Sequence, residues 1–195
     1  MSTLIAGLVL FLGAHSVRIW GENLRTDIIE RLGPMAWKGL YAVVSLAGLY
    51  LVVQGYVEAR TDSGTLWTPA PWLVHLGALL NLPAFILLIA AYVPGNGIAS
   101  RLGHPMTLGV KLWALAHLLA NGDLVSVIVF GSVLLWSVLL FRNVRRRPQD
   151  KNIFRGGREP SLAATLATVL IGAGAWVWFA FVGHAMLFGV APFAG

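Results

Sequence analysis

The sequence predicts an all-α polytopic membrane bundle of about six transmembrane helices. Three observations carry that reading. The 195 residues are 57% hydrophobic and only 11% charged, less than half the charge of a typical soluble domain, which is about 25%. The apolar residues fall into six runs, near 3–20, 36–57, 72–93, 105–120, 124–142 and 162–188. Twelve of the fourteen basic residues sit on alternate connections between those runs.

Each run has its own start and stop signals. A helix rises 1.5 Å per residue, so about 20 residues cross the hydrocarbon core. The first run (TLIAGLVLFLGAHS) has no basic n-region and no small-residue cleavage site, and reads as an anchor helix. The connection after it, SVRIWGENLRTDIIERLGP, reads as an amphipathic interfacial helix starting near Asn23 or Thr26 and ending at Gly33-Pro34. In the third run, the Pro83-Ala84-Phe85 segment predicts a kink, and YVPGNG after it predicts a helix stop and turn. The fourth run is the shortest. It opens at His104-Pro105, with proline at a first helical position, and closes at Asn121-Gly122-Asp123. Trp20, Trp37, Trp67 and Trp72 lie near run ends, as an aromatic belt requires. Gly7, Gly13, Gly48, Gly172 and Gly174 are small enough to let helices approach closely.

Charge orients the runs. The first connection holds Arg18, Arg25, Arg31 and Lys38, the third Arg101, and the fifth Arg142, Arg145, Arg146, Arg147, Lys151, Arg155 and Arg158. The positive-inside rule puts these three connections in the cytoplasm and both termini outside, which in a bacterium is the periplasm. The formal charge of +6 therefore has a topogenic explanation and does not indicate nucleic-acid binding. No second domain is evident, so 1–195 reads as a single transmembrane domain whose first partner is the lipid bilayer.

The chain has no cysteine, which excludes disulfides, zinc thiolates and cysteine-held iron–sulfur clusters. There is no Walker loop, no G-x-G-x-x-G after a strand, no G-x-S-x-G elbow and no H-E-x-x-H. The residues that could carry chemistry are histidines inside apolar helices. A polar ring in hydrocarbon is costly unless something satisfies it. His15 lies in the first run on the face of Leu8, Phe11 and Leu12, and either ligates a group or bonds a neighbouring carbonyl. His104 and His117 both lie on the fourth run. They are about 20 Å apart along a helix and about 140° apart around it, so they cannot serve one metal ion together. His104 also fits a helix-start role, and Lys111 either snorkels or pairs. His75 and His184 fall near run ends and read as interfacial. By depth, His15 matches His104 better than His117.

The segments LFLGAHSVR, WKGLYAVVSLAGL, LPAFILLIAAYVPG and HPMTLGVKLWALAHLLANGD resemble the NnrU family, most strongly over residues 5–142. The resemblance implies an inner-membrane protein with one of two roles. Bacterial members support production of active nitrite and nitric oxide reductases in denitrification, which implies reductase assembly factors as partners. A plant relative, 15-cis-zeta-carotene isomerase, binds haem b and isomerises a cis double bond of a polyene. Its haem-linked histidines match His15 and His117, which makes these two the implied ligands of a haem iron. The histidine of its HP motif matches His104. The isomerase carries a cysteine where this chain has Ala114, so ligand switching through cysteine is unavailable here. The competing reading is non-enzymatic, a membrane accessory protein with structural histidines. HPMTLG is also similar to the HPxxxG element of small membrane methyltransferases. Those enzymes expect acidic and aromatic residues beside the last cytoplasmic helix, where this chain reads RRRPQDKNIFRGGREP with Glu159 the only glutamate.

Overall fold

Proline and glycine set the helix boundaries much as their backbone chemistry dictates. The computed structural model describes residues 1–146 and 158–193. Its helices are α1 (Ser2–Trp20), α2 (Glu22–Arg60), α3 (Pro71–Ala90), α4 (Gly97–Leu102), α5 (Pro105–Ala120), α6 (Leu124–Arg145) and α7 (Leu162–Trp178). A π-helical turn (Phe179–Gly183) then leads into α8 (His184–Phe188). Pro71 and Pro105 occupy first-turn positions, where a missing N–H costs nothing. Gly33 breaks α2 with φ 85° and ψ 161°, separating the interfacial segment 22–32 from the apolar stretch 34–60. Pro83, the expected kink position, lies inside α3.

Among the described residues, five helical stretches are long and apolar enough to cross a membrane: α1, α2, α3, α6 and the run Leu162–Phe188. The protein is thus an all-helical polytopic membrane protein. The sixth expected span, α5, has 16 residues and rises only about 24 Å. Its length is fixed at one end by Pro105 and at the other by the turn at Asn121. Arg147, Lys151 and Arg155 of the basic fifth connection lie outside the described residues.

The chain forms two compact units. The first comprises residues 1–66 and 123–132. In it α1 packs on α2 with Leu4 and Leu8 buried. A Cβ on Gly55 would overlap the Leu4 nitrogen, and one on Gly48 would stand 2.6 Å from the Phe11 nitrogen. The two backbones touch where only hydrogen fits, which maximises dispersion contact in a solvent that supplies no hydrophobic drive. Of the small residues singled out in the sequence, Gly7, Gly48 and Gly172 stand at such approaches, whereas Gly13 and Gly174 meet nothing within 4 Å.

The start of α6 closes this first unit through a polar knot. Asp123 accepts the Ser126 backbone N–H at 2.8 Å and the Ser126 hydroxyl at 2.6 Å. It caps the start of α6, in the Asn121-Gly122-Asp123 turn. Ser126 Oγ is also 2.9 Å from the Tyr56 hydroxyl, and Leu124 N–H donates to the Gly64 carbonyl at 3.1 Å. Burial pushes the Asp123 carboxyl up, but the Ser126 hydroxyl and amide and the nearby Arg60 charge hold it below the usual carboxylate range.

The second unit comprises residues 67–122 and 133–195. Here α3 packs on α5 and on α7. Gly77 makes the first contact possible, because a Cβ there would meet the Ala116 carbonyl oxygen at 2.7 Å. The turn after α3 is held by Asn96, which is 1% exposed. Its Oδ1 accepts the Ala99 N–H at 2.7 Å and its Nδ2 donates to the Ala90 carbonyl at 2.8 Å. Ser161 N–H donates to the Gly95 carbonyl at 2.9 Å, tying the start of α7 to the same turn.

Candidate functional site

Stripes from three helices of the second unit enclose a cavity of about 390 Å³. The α3 stripe runs from Val74 to Leu88, the α5 stripe from Trp113 to Asn121, and the last helical run contributes Trp176 to His184. The volume is toward the lower end of small-molecule sites, which span about 300–1,000 Å³. The lining is largely apolar and aromatic with a few polar groups, as such sites require.

His117 supplies one of those polar groups. Its Nδ1–H donates to the Trp113 carbonyl one turn back at 2.8 Å, and the two rings lie 4.7 Å apart. A carbonyl only accepts, so Nδ1 carries the proton and the neutral ring has its lone pair on Nε2. Asn121 Nδ2 donates to the His117 carbonyl at 2.9 Å, finishing the last turn of α5. The arrangement follows from the i, i+4 spacing on α5, where a helical side chain leans back over the turn before it and reaches the Trp113 carbonyl.

His184 supplies the second. Its Nδ1–H donates to the Val190 carbonyl at 2.6 Å, which the chain brings back through Gly189 at φ 69°. Phe179 and Phe188 flank the ring at 5.8 and 5.1 Å. The π-helical turn just before it decides where His184 faces. On an ideal helix His184 would sit about 80° from Trp176. One extra residue in a π turn takes back about 100° and returns His184 to the Trp176 side, where both line the cavity. Read from sequence only as lying near a run end, His184 also lines the cavity.

The remaining polar groups belong mostly to α3 and its neighbours. Asn81 Nδ2 donates to the Gly77 carbonyl at 3.0 Å, while its Oδ1 is buried without a hydrogen-bond partner. Trp176 Nε1–H donates to the Ala78 carbonyl at 3.1 Å. His75 does not line the cavity and stacks on Phe193 at 6.5 Å and 11°. Phe193 also meets Trp176 edge-on at 6.1 Å. The segment 189–193 is thus pinned at the cavity by His184 at one end and by His75 and Trp176 at the other.

The other sequence candidates lie elsewhere. His15 belongs to the first unit. Its Nδ1–H donates to the Phe11 carbonyl at 2.7 Å, and its ring lies 4.3 Å from Phe11 and 5.2 Å from Tyr41. His104 is 3% exposed and occupies the cap position before Pro105, at the far end of α5 from His117. Lys111 takes the pairing option, with its ammonium 4.2 Å from the centre of the Phe141 ring. Among the described residues, no three His, Asp or Glu side chains gather as a metal cluster would need. The structure brings His117 to His184 at one cavity and leaves His104 outside it.

A family model described as NnrU protein matches residues 3–192. No curated protein and no solved structure matches the chain.

Proposed function

Because the chain belongs to the NnrU family, we propose that it is a haem-b-binding membrane protein whose cofactor site includes His117. The observation that carries this reading is the His117 imidazole at an aromatic-walled cavity, with its proton committed to a backbone carbonyl. Histidines that ligate metals nearly always donate their other ring N–H to such an acceptor, which fixes the tautomer and raises basicity. The donor set is compatible with haem: imidazole nitrogens, apolar walls and no cysteine competitor. The resemblance also implies His15, whose Nδ1–H donates to the Phe11 carbonyl within the first unit.

Bound haem supplies reversible one-electron chemistry, and everything else falls to the chain. His117 would hold the cofactor. Trp113 and Phe179 would exclude water and set an apolar slot. In the isomerase version of this reading, the slot takes a polyene with a conjugated cis double bond. In the denitrification version, the protein supports production of nitrite and nitric oxide reductases. We place it in the bacterial inner membrane with both termini in the periplasm, on the strength of the basic connections.

One observation favours a second, non-enzymatic reading. His15 and His117 both satisfy one ring nitrogen within their own helices, which is enough for a structural role in an accessory bundle. The two readings separate on a reduced-minus-oxidised spectrum of the protein purified in detergent after expression with ample haem. A Soret band that disappears in His117→Ala supports haem binding. Protein without any Soret band supports the accessory bundle. Feeding tri-cis zeta-carotene to a host lacking its own isomerase then tests the polyene reaction.

A further inference from the structure

We propose that Lys111 and Arg145 hold the phosphate of an anionic phospholipid beside the ring of Phe141, at the end of the second unit where α5 begins and α6 finishes. None of the three residues lines the His117 cavity, and the site is independent of haem.

Two cations share one ring. The Lys111 ammonium lies 4.2 Å from the centre of Phe141, and the Arg145 guanidinium lies 5.4 Å from it. Both fall within the cation–π range of about 6 Å. A ring face eases the burial of a cation but does not cancel its charge, and two like charges at one ring repel. Among the described residues, neither cation forms an ion pair with a carboxylate. Acids are scarce in this unit: its sequence holds two, Asp150 and Glu159, against nine lysines and arginines. An ammonium carries three N–H donors and a guanidinium five, more than one ring can take. A phosphate accepts from both and relieves their repulsion.

Position separates Lys111 from the charges that set topology. Arg145 ends α6, where a positive-inside residue belongs. Lys111 lies within α5, six residues after Pro105, which is about 9 Å along the helix. A charge inside a span is costly and calls for a partner, and the aliphatic stem lets its ammonium reach back toward the headgroups. Leu115, one turn deeper on the same face of α5, is 37% exposed and offers an acyl chain an apolar wall below the cations. A free phosphate gains nothing from that wall, whereas a phospholipid uses both parts. Basic sites of this kind, between the ends of neighbouring spans, recognise anionic headgroups.

The experiment uses the full-length protein purified in mild detergent, with native mass spectrometry after adding phosphatidylglycerol, phosphatidylcholine or inorganic phosphate. The wild type is expected to retain one phosphatidylglycerol per chain in preference to phosphatidylcholine. Lys111→Gln and Arg145→Gln should each weaken that retention by about fivefold, and Lys111→Arg, which keeps the charge, should preserve it. Arg145 is exposed at a helix end, so its variant decides the matter even where Lys111→Gln fails to fold. Arg142→Gln removes an exposed charge next to Phe141 and should leave retention unchanged. Equal retention by the wild type and Arg145→Gln overturns the proposal. So does an equal loss in Arg142→Gln, which marks a diffuse basic surface, or displacement of the lipid by inorganic phosphate, which marks a site for a free anion.

Discussion

His117 Nδ1–H donates to the Trp113 carbonyl at 2.8 Å, and the two rings stand 4.7 Å apart. One residue therefore orients the imidazole twice, by its backbone and by its side chain. The carbonyl survives any substitution at Trp113, so mutation isolates the packing contribution. Trp113→Ala leaves the tautomer fixed but the ring less confined, and we predict hemin affinity lower by about tenfold, the lower end of what supporting contacts contribute. Trp113→Phe, which keeps an aromatic neighbour, falls between the two. Hemin titration of the purified variants checks the order.

The glycine contacts predict a sharp positional contrast. Gly55→Leu forces a side chain into a space where even a Cβ would overlap the Leu4 nitrogen. It should destabilise the α1–α2 pair by about 1–3 kcal/mol, the usual cost of overpacking. Gly13→Ala, where nothing lies within 4 Å, should be neutral or gain up to about 1 kcal/mol from helix propensity. Thermal unfolding in a mild detergent compares the two.

Asp123 gives the first unit a pH dependence. Its carboxyl is held below the usual range, so the folded state binds its proton less readily than the unfolded chain does. Stability from this group is therefore fully present above the ordinary carboxylate value of about 3.9 and is lost as pH falls through the lower folded value. Asp123→Ala removes the α6 cap and should cost about 1 kcal/mol at neutral pH. In that variant the acid-dependent loss assigned to Asp123 should disappear. Unfolding midpoints followed from pH 6 downward test both statements.

The 189–193 segment should be separable from the bundle. Phe193 stacks on His75 and meets Trp176 edge-on, and aromatic pairs contribute about 0.5–1.5 kcal/mol each beyond area burial. Phe193→Ala should raise hydrogen exchange at residues 189–192 and redden Trp176 emission, leaving exchange in α1 and α2 unchanged.

Much of this architecture was legible in the sequence, for identifiable reasons. Length and apolarity define the long helices, Gly33-Pro34 marks the break in α2, and His104-Pro105 and Asn121 bound α5. These are local signals, written in backbone chemistry. What stayed illegible was non-local or irregular. The π-helical turn has no periodic signature, so nothing in the sequence places His184 at one cavity with His117. Asn81 gave no signal either, because its importance lies in an oxygen that only the packed helices bury.

Hemin titration into the purified wild type and His117→Ala, followed in the Soret region, tests whether His117 holds a haem in the second unit. Saturable uptake at one hemin per chain is expected in the wild type, with affinity more than about tenfold weaker in the variant. Superimposable titrations of the two proteins, or no uptake by the wild type, rule that role out.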